Sequence, residues 1–256
     1  YDVSICQSPD EKDDYLKHTQ PFIINQISQT SNPDSRILFS ESSNQKLLED
    51  YAISKRGIVS GDKDYWFKSF WELFPIPNEW RFLQSTFQRN CFYGGKDQVV
   101  NWSSQGHGIL RTGTDNESYG RKGIVISQMG SLPSSIYLGE LYDNNTGTII
   151  PKDSQHLSAL WCYCSSPQYY EEVRKIDKAL KVTNATLTKV PFDLEYWQKV
   201  AQEKYPHGLP KPYSDDATQW LFHGHPVKAE TPLQVVTSRM LGYRWPAESD
   251  NEMELA

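Results

Sequence analysis

No stretch of the 256-residue chain approaches the ~20 consecutive apolar residues that a bilayer-spanning helix requires, so the sequence predicts no membrane partner. Cysteine is scarce. Cys6, Cys91, Cys162 and Cys164 are too few and too irregular for the disulfide framework of a small secreted protein, and a reducing cytoplasm is the matching setting. Cys162 and Cys164 lack the second pair that would complete a zinc site, so both are expected to be buried packing residues. An excess of positive charge is also missing: the net charge is -6, which argues against a non-specific nucleic-acid binder. The chain has neither an initiator Met nor the basic-then-apolar order of a signal peptide, and its charged end "RWPAESDNEMELA" has no helix stop; the expectation is a piece of a longer protein.

The catalytic signatures are absent as well. There is no G-x-S-x-G nucleophile elbow, G-x-x-x-x-G-K-S/T phosphate loop, H-E-x-x-H zinc helix or G-x-G-x-x-G dinucleotide turn. An enzymatic alternative rests on "SDDATQWLFHGHP", where Asp215, Asp216, His223 and His225 offer ligands for a metal-dependent hydrolase or nuclease. The bland reading of that stretch, a turn with one histidine bonded to backbone, is the favoured one.

What is present points to a loop-rich globular chain. With 38% hydrophobic and 23% charged residues and a mean hydropathy of -0.65, the sequence predicts a soluble main domain with appendages. Residues 1–50 are polar and read as a connector, with a short strand at Ile37-Leu38-Phe39 and a helix expected over Asn44 to Ala52. Between Ile53 and Ile150, short apolar runs separated by Gly, Asn, Asp and Ser predict strands and turns. A strand over Gly57 to Ser60 and the runs "QVVNW", "GIVIS" and "TGTIIP" are the clearest.

Helical spacing then takes over in "SALWCYCSS", in "PQYYEEVRKIDKALK" with Tyr169, Val173, Ile176 and Leu180, and in "PFDLEYWQKVAQEKYP" with Leu194, Trp197, Ala201 and Tyr205. A last helix in "TPLQVVTSRMLGYRWP" has Thr231 as N-cap, a stripe of Leu233, Val236 and Met240, and Gly242 as its stop. The fold class expected is α+β, or mixed α/β: a β-rich domain over 51–192 and a helical extension over 193–256. Trp71, Trp80, Trp161, Trp197, Trp220 and Trp245 read mostly as packing anchors rather than sugar-stacking faces.

Charge is unevenly placed. Residues 55–130 hold 10 Lys+Arg against 7 Asp+Glu, whereas both flanks are acidic. In "KRGIVSGDKDYWFKSFWELFP", Lys63 and Lys68 flank Tyr65, Trp66 and Phe67. A basic turn beside aromatic faces suits a polyanion and its bases, and equally a loop folded onto a core or a surface that docks a partner protein. Lys55, Arg56, Arg89, Lys96, Arg111, Arg121 and Lys122 recur beside other Gly-rich or polar turns. Long cationic side chains neutralise phosphates, while Arg, Asn and Gln read base edges.

The order "RGIVSGDKDYWFKSFWEL", "FYGGKDQVVNWSSQG", "YGRKGIVISQMGSLPSSIY" and "TGTIIPKDSQHLSALWCYCSSPQYYEEVRKIDKALKVTNATLTKVPFD" resembles the target-recognition region of large single-chain adenine-specific DNA methyltransferases, the Eco57I-like and BREX-type enzymes of bacterial restriction-modification and phage defence. The likeness runs from about Tyr51 to Pro246. The stretch from Leu157 to Asp193 is also similar to the end of Type I specificity-subunit recognition domains. The sequence departs from the pattern at Lys63, where many relatives have Asn, and lacks the Arg-Lys-Trp-Tyr run after the double glycine.

The resemblance implies double-stranded DNA as partner, a bacterial cytoplasmic setting, and a preceding methyltransferase domain in the parent chain. It assigns phosphate contacts to Lys55, Arg56, Lys63, Lys68, Lys96 and Lys122, and base reading to Arg89, Arg111, Arg121 and Gln128. Gly94 and Gly95 become a DNA-facing loop. Methyl transfer would lie outside this chain, because the Gly-rich S-adenosylmethionine turn and the Asn-Pro-Pro-aromatic motif that holds a flipped adenine are missing. The expected state is therefore a recognition module with no cofactor and no catalytic residue of its own.

Overall fold

In the computed structural model, the described residues are 3, 5–21, 23–32, 35, 37, 46–73, 75–212 and 232–242. Two units are distinguished, Tyr1–Gln45 and Lys46–Ala256. The first holds a helix absent from the sequence expectation, α1 (Pro9–His18), which starts where the Ser8 side chain accepts a hydrogen bond from the Glu11 backbone N–H. Pro9 fits its first turn and no residue in it is buried. The expected strand at Ile37-Leu38-Phe39 lies largely outside the described residues.

The second unit contains two four-stranded sheets, and the class is α+β. The first sheet joins β1 (Ala52–Arg56), β5 (Gly123–Ser127), β6 (Ser134–Tyr137) and β8 (Thr146–Pro151) in the antiparallel order β1-β8-β5-β6. The second joins β2 (Phe67–Ser69), β3 (Trp80–Gln84), β4 (Gln98–Asn101) and β7 (Leu141–Tyr142) in the order β2-β4-β3-β7, with β3 and β7 parallel. Period-two alternation builds both cores. In β5, Ile124 and Ile126 join the large cluster shared with the helices, while Val125 joins Tyr137, Tyr142 and Ile150 on the other face. In β4, Val99 packs with Phe70 and Val100 with Ile58, Phe67, Leu83 and Ile109.

Helix α3 (Leu157–Cys164) packs on β5 and β6 of the first sheet, and α4 (Pro167–Ile176) and α5 (Leu194–Lys204) pack against α3. Six of the eight residues of α3 are buried, Cys162 and Cys164 among them, as expected of packing residues. Ser166 and Asp193 cap α4 and α5 through the N–H groups of Tyr169 and Tyr196. Helix α5 is built into the same core as α3, with Trp197 beside Tyr163 and Trp161 donating to the Tyr205 hydroxyl at 3.1 Å. Packing therefore continues across the expected boundary at residue 193. Among the described residues, no helix is long and apolar enough to cross a membrane.

Several local expectations are corrected. Of the predicted helix over 44–52, residues 44 and 45 lie outside the described residues, and the rest is a single tight turn at Leu48–Asp50 leading straight into β1, because the Leu48 N–H is drawn to the Val190 carbonyl and the Tyr51 carbonyl to Lys152. The strand expected over Gly57 to Ser60 does not form, and the strand in this region, β1, ends at Arg56. Residues 58 and 59 pair only as isolated bridges to Asp143 and Arg111. Helix α4 stops at Ile176, and the Asp177 carboxylate gathers the Ala179 and Thr183 N–H groups and the Thr186 hydroxyl, which turns the chain and leaves Leu180 exposed. In α6 (Pro232–Met240) the inward residues are Val235 and Ser238, while Leu233, Val236 and Met240 face outward. Gly242 follows it at φ 93°, as a helix stop requires. Thr231, Trp220 and Trp245 lie outside the described residues.

Candidate nucleic-acid interface

The basic stretch begins where β1 leaves the first sheet. Gly57 passes so close to the second sheet that a Cβ there would sit 2.3 Å from the Tyr142 carbonyl oxygen and 2.4 Å from that of Asp143, so glycine is required by crowding. Ile58 then donates to the Tyr142 carbonyl at 2.7 Å. Gly61, at φ 81°, turns the chain, and the Asp62 carboxylate accepts from the Tyr65 N–H to start the one-turn helix α2 (Lys63–Trp66). Of the three aromatics, Phe67 is buried, Trp66 is half-buried and only Tyr65 is open to solvent, at 67% exposure.

This segment is laid against a second one. Val59 and Arg111 exchange both backbone hydrogen bonds at 3.0 Å, and Leu110 donates to the Ser60 carbonyl. The Trp66 ring lies under Gly108, where a Cβ would come within 3.0 Å of it. Segments 55–68 and 103–117 therefore form one surface. Arg56, Lys63 and Arg111 stand exposed on it and, among the described residues, make no ion pair. Lys55 reaches Glu117 at 3.5 Å, and Lys68 donates to the Asp64 carbonyl at 2.9 Å. Lys63 and Lys68 line an open cleft of about 270 Å³ with Asp64, Phe67, Ser69, Glu72 and Gln98, so acids are interspersed among the cations.

The other expected site residues lie elsewhere. Lys96 is 3% exposed and its ammonium is 2.6 Å from the Glu140 carboxylate, which corrects its assignment as a phosphate contact. Gln128 is buried too, its side-chain amide donating to the Val182 carbonyl, so it does not face a base edge. Gly94 and Gly95 are half-buried and serve packing: a Cβ on Gly94 would meet the Cys91 sulfur at 2.2 Å, and one on Gly95 the Ser85 carbonyl at 2.3 Å. The close approach that glycine permits is made to the protein's own interior.

Arg89 is exposed beside Asn90, which donates to the Ser165 carbonyl at the end of α3, on the helical side. Arg121 and Lys122 are exposed ahead of β5. Arg121 donates to the Pro151 carbonyl, at the end of the first sheet opposite to Arg56, which pairs with Gly147. Asp215, Asp216, His223 and His225 lie outside the described residues; among those described, no group of three or more His, Cys, Asp or Glu side chains is placed to hold a metal ion.

Two features of this surface have no counterpart in the sequence expectations. Lys181, outside the basic third, reaches the Asn144 carbonyl at 2.7 Å and the Asn145 side chain at 2.9 Å, and burial together with the charge of Arg56 holds its pKa below the usual lysine value. The second is the turn after Trp102, where Ser104 (φ 49°, ψ 38°), Gln105 (φ 57°, ψ 34°) and Gly106 (φ 76°) are all left-handed.

Behind the surface, Asp97 and Asp143 are desolvated. Burial raises both carboxyls above the ordinary value; Lys63 opposes this for each, and the Asn145 N–H does so for Asp143. A raised carboxylate binds its proton more tightly in the folded state than in the unfolded one. Its contribution therefore favours folding in acid and is lost as pH rises from the ordinary carboxylate pKa through the raised one. Asp143→Asn is expected to flatten this part of the stability profile. Urea midpoints measured from pH 4 to 7.5 should fall less steeply for the variant, and an unchanged slope would refute the assignment.

No protein-family model matches the sequence, and no curated protein is similar enough to count as a relative.

Proposed function

We propose that this chain is a double-stranded-DNA recognition module of an adenine-specific DNA methyltransferase, gripping and reading duplex DNA while methyl transfer resides in another part of the parent protein. The observation that supports this best is the joining of segments 55–68 and 103–117 into one surface with the exposed cations Arg56, Lys63 and Arg111 and the exposed ring of Tyr65. Lysine and arginine at such positions neutralise phosphates and release counterions, and an exposed aromatic face stacks on bases or sugars. The ordered resemblance of the four sequence blocks to the recognition regions of such methyltransferases supplies the target class. S-adenosylmethionine belongs to the catalytic part in this reading, and the setting is the bacterial cytoplasm.

The test is a salt titration with a labelled pool of randomised duplexes, followed by sequencing of the bound fraction. If Arg56, Lys63, Lys68 and Arg111 each meet a phosphate, log affinity should fall against log salt with a slope of roughly -3 to -4. Lys63→Ala should reduce that slope by about one and weaken all duplexes alike. Absence of salt-dependent binding by the unaltered chain would refute the reading.

A further inference from the structure

We propose that the turn at Ser104-Gln105 is a preformed base-reading element, with Gln105 addressing the edge of a purine in the major groove; this rests on the DNA reading above. Among the described residues, most left-handed positions are glycines, and the exceptions are Ser35, Ser104, Gln105 and Leu132. Leu132 is buried, so its packing offsets the strain of a left-handed side chain. Ser104 and Gln105 are adjacent and exposed, and their side chains make no hydrogen bond among the described residues. Neighbouring Gly106 and Gly108 show that glycine serves elsewhere in the same loop, whereas here two side chains are retained at a conformational cost.

The turn is held from beneath. A Cβ at Gly106 would meet the Trp102 ring at 2.9 Å and the Thr112 methyl at 3.0 Å, and Trp66 supports Gly108. Ile109, which donates to the Gly106 carbonyl at 3.0 Å, is anchored in the cluster with Ile58, Phe67, Leu83 and Val100. With the backbone already ordered in this way, only the rotamers of the Gln105 side chain itself are left to be fixed on binding. The glutamine amide has a donor and an acceptor side by side, which complement the N7 acceptor and the N6 amino donor of adenine in the major groove. Lys63 and Arg111 on the same surface would fix the register of the backbone.

The experiment compares the unaltered chain with Gln105→Gly and Gln105→Asn in the duplex-selection assay, together with thermal melts. Glycine removes the reading group and relieves the backbone, so Tm should stay unchanged or rise by roughly 2 °C. Preference at one position of the selected motif should fall about ten-fold or more, while salt-dependent binding to the whole pool is retained. Gln105→Asn keeps the amide and tolerates the left-handed backbone, and part of the preference should survive. An unchanged motif in Gln105→Gly, or equal weakening on all duplexes with a lowered Tm, would overturn the reading role and leave DNA binding standing. No binding by the unaltered chain would overturn both.

Discussion

Glu140→Ala should destabilise the protein by about 3–5 kcal/mol, because it takes the carboxylate away from an ammonium buried in the interior. Lys96 Nζ lies 2.6 Å from Glu140 Oε1, with the two side chains 2% and 16% exposed. The other carboxylate oxygen accepts from the Leu138 N–H, so the same residue also holds the turn before β7. Burial lowers the Lys96 pKa, and the charge and hydrogen bond of Glu140 hold it up. Without Glu140 the lowering grows. The sign of the pH effect follows: a depressed lysine binds fewer protons when folded, so the loss in Glu140→Ala should shrink as pH rises towards the unfolded lysine pKa. Urea unfolding at pH 7 and 9.5 measures both effects. A Lys96→Met, Glu140→Leu double variant should regain most of the stability, since apolar pairs of similar volume often replace buried ion pairs without loss. A single-variant loss below ~1 kcal/mol would sink the argument.

Tyr163→Ala should cost about as much, ~3–5 kcal/mol, for a different reason. Its ring lies between Tyr169, Phe192 and Trp197, with centroids 5.2, 5.1 and 5.3 Å away, and its hydroxyl donates to the Pro191 carbonyl at 2.7 Å. The substitution opens a cavity where α3, α4, α5 and the 187–192 segment meet. Tyr163→Phe should lose only the hydrogen bond, about 0.5–1.5 kcal/mol, since the Pro191 carbonyl is only half-buried. Hydrogen exchange adds a second readout. If α5 were an independent extension, its amides alone would lose protection in Tyr163→Ala; the shared core predicts that amides of β5 lose it together with those of α5.

Much of the scaffold was legible in sequence because its signals are local. The alternation in "GIVIS" and "TGTIIP" gives β5 and β8, and helical spacing behind Pro167 and Pro191 gives α4 and α5. Helix α1 has clear capping but no apolar stripe, so periodicity passes over it. The site was less legible. Lys96 and Arg111 look alike in sequence, and only tertiary packing makes one a core ion pair and the other a surface cation. The double glycine announces a close approach without saying to what. The pairing of Val59 with Arg111 joins segments about fifty residues apart through backbone groups that every residue carries. Ser104 and Gln105 adopt a conformation that sequence announces only through glycine or asparagine.

The chain's route through the two sheets limits how such a molecule can diversify. β1 enters the first sheet, β2 to β4 build the second, β5 and β6 return to the first, β7 completes the second and β8 closes the first against β1. Neither sheet is a contiguous cassette. A crossover between two related genes placed between β1 and β8 would divide at least one sheet between parents that never evolved together, and inserting one whole sheet from another protein would need several simultaneous exchanges. New surface chemistry would then arise by substitution within loops such as 103–108, with the sheets inherited as a single indivisible block.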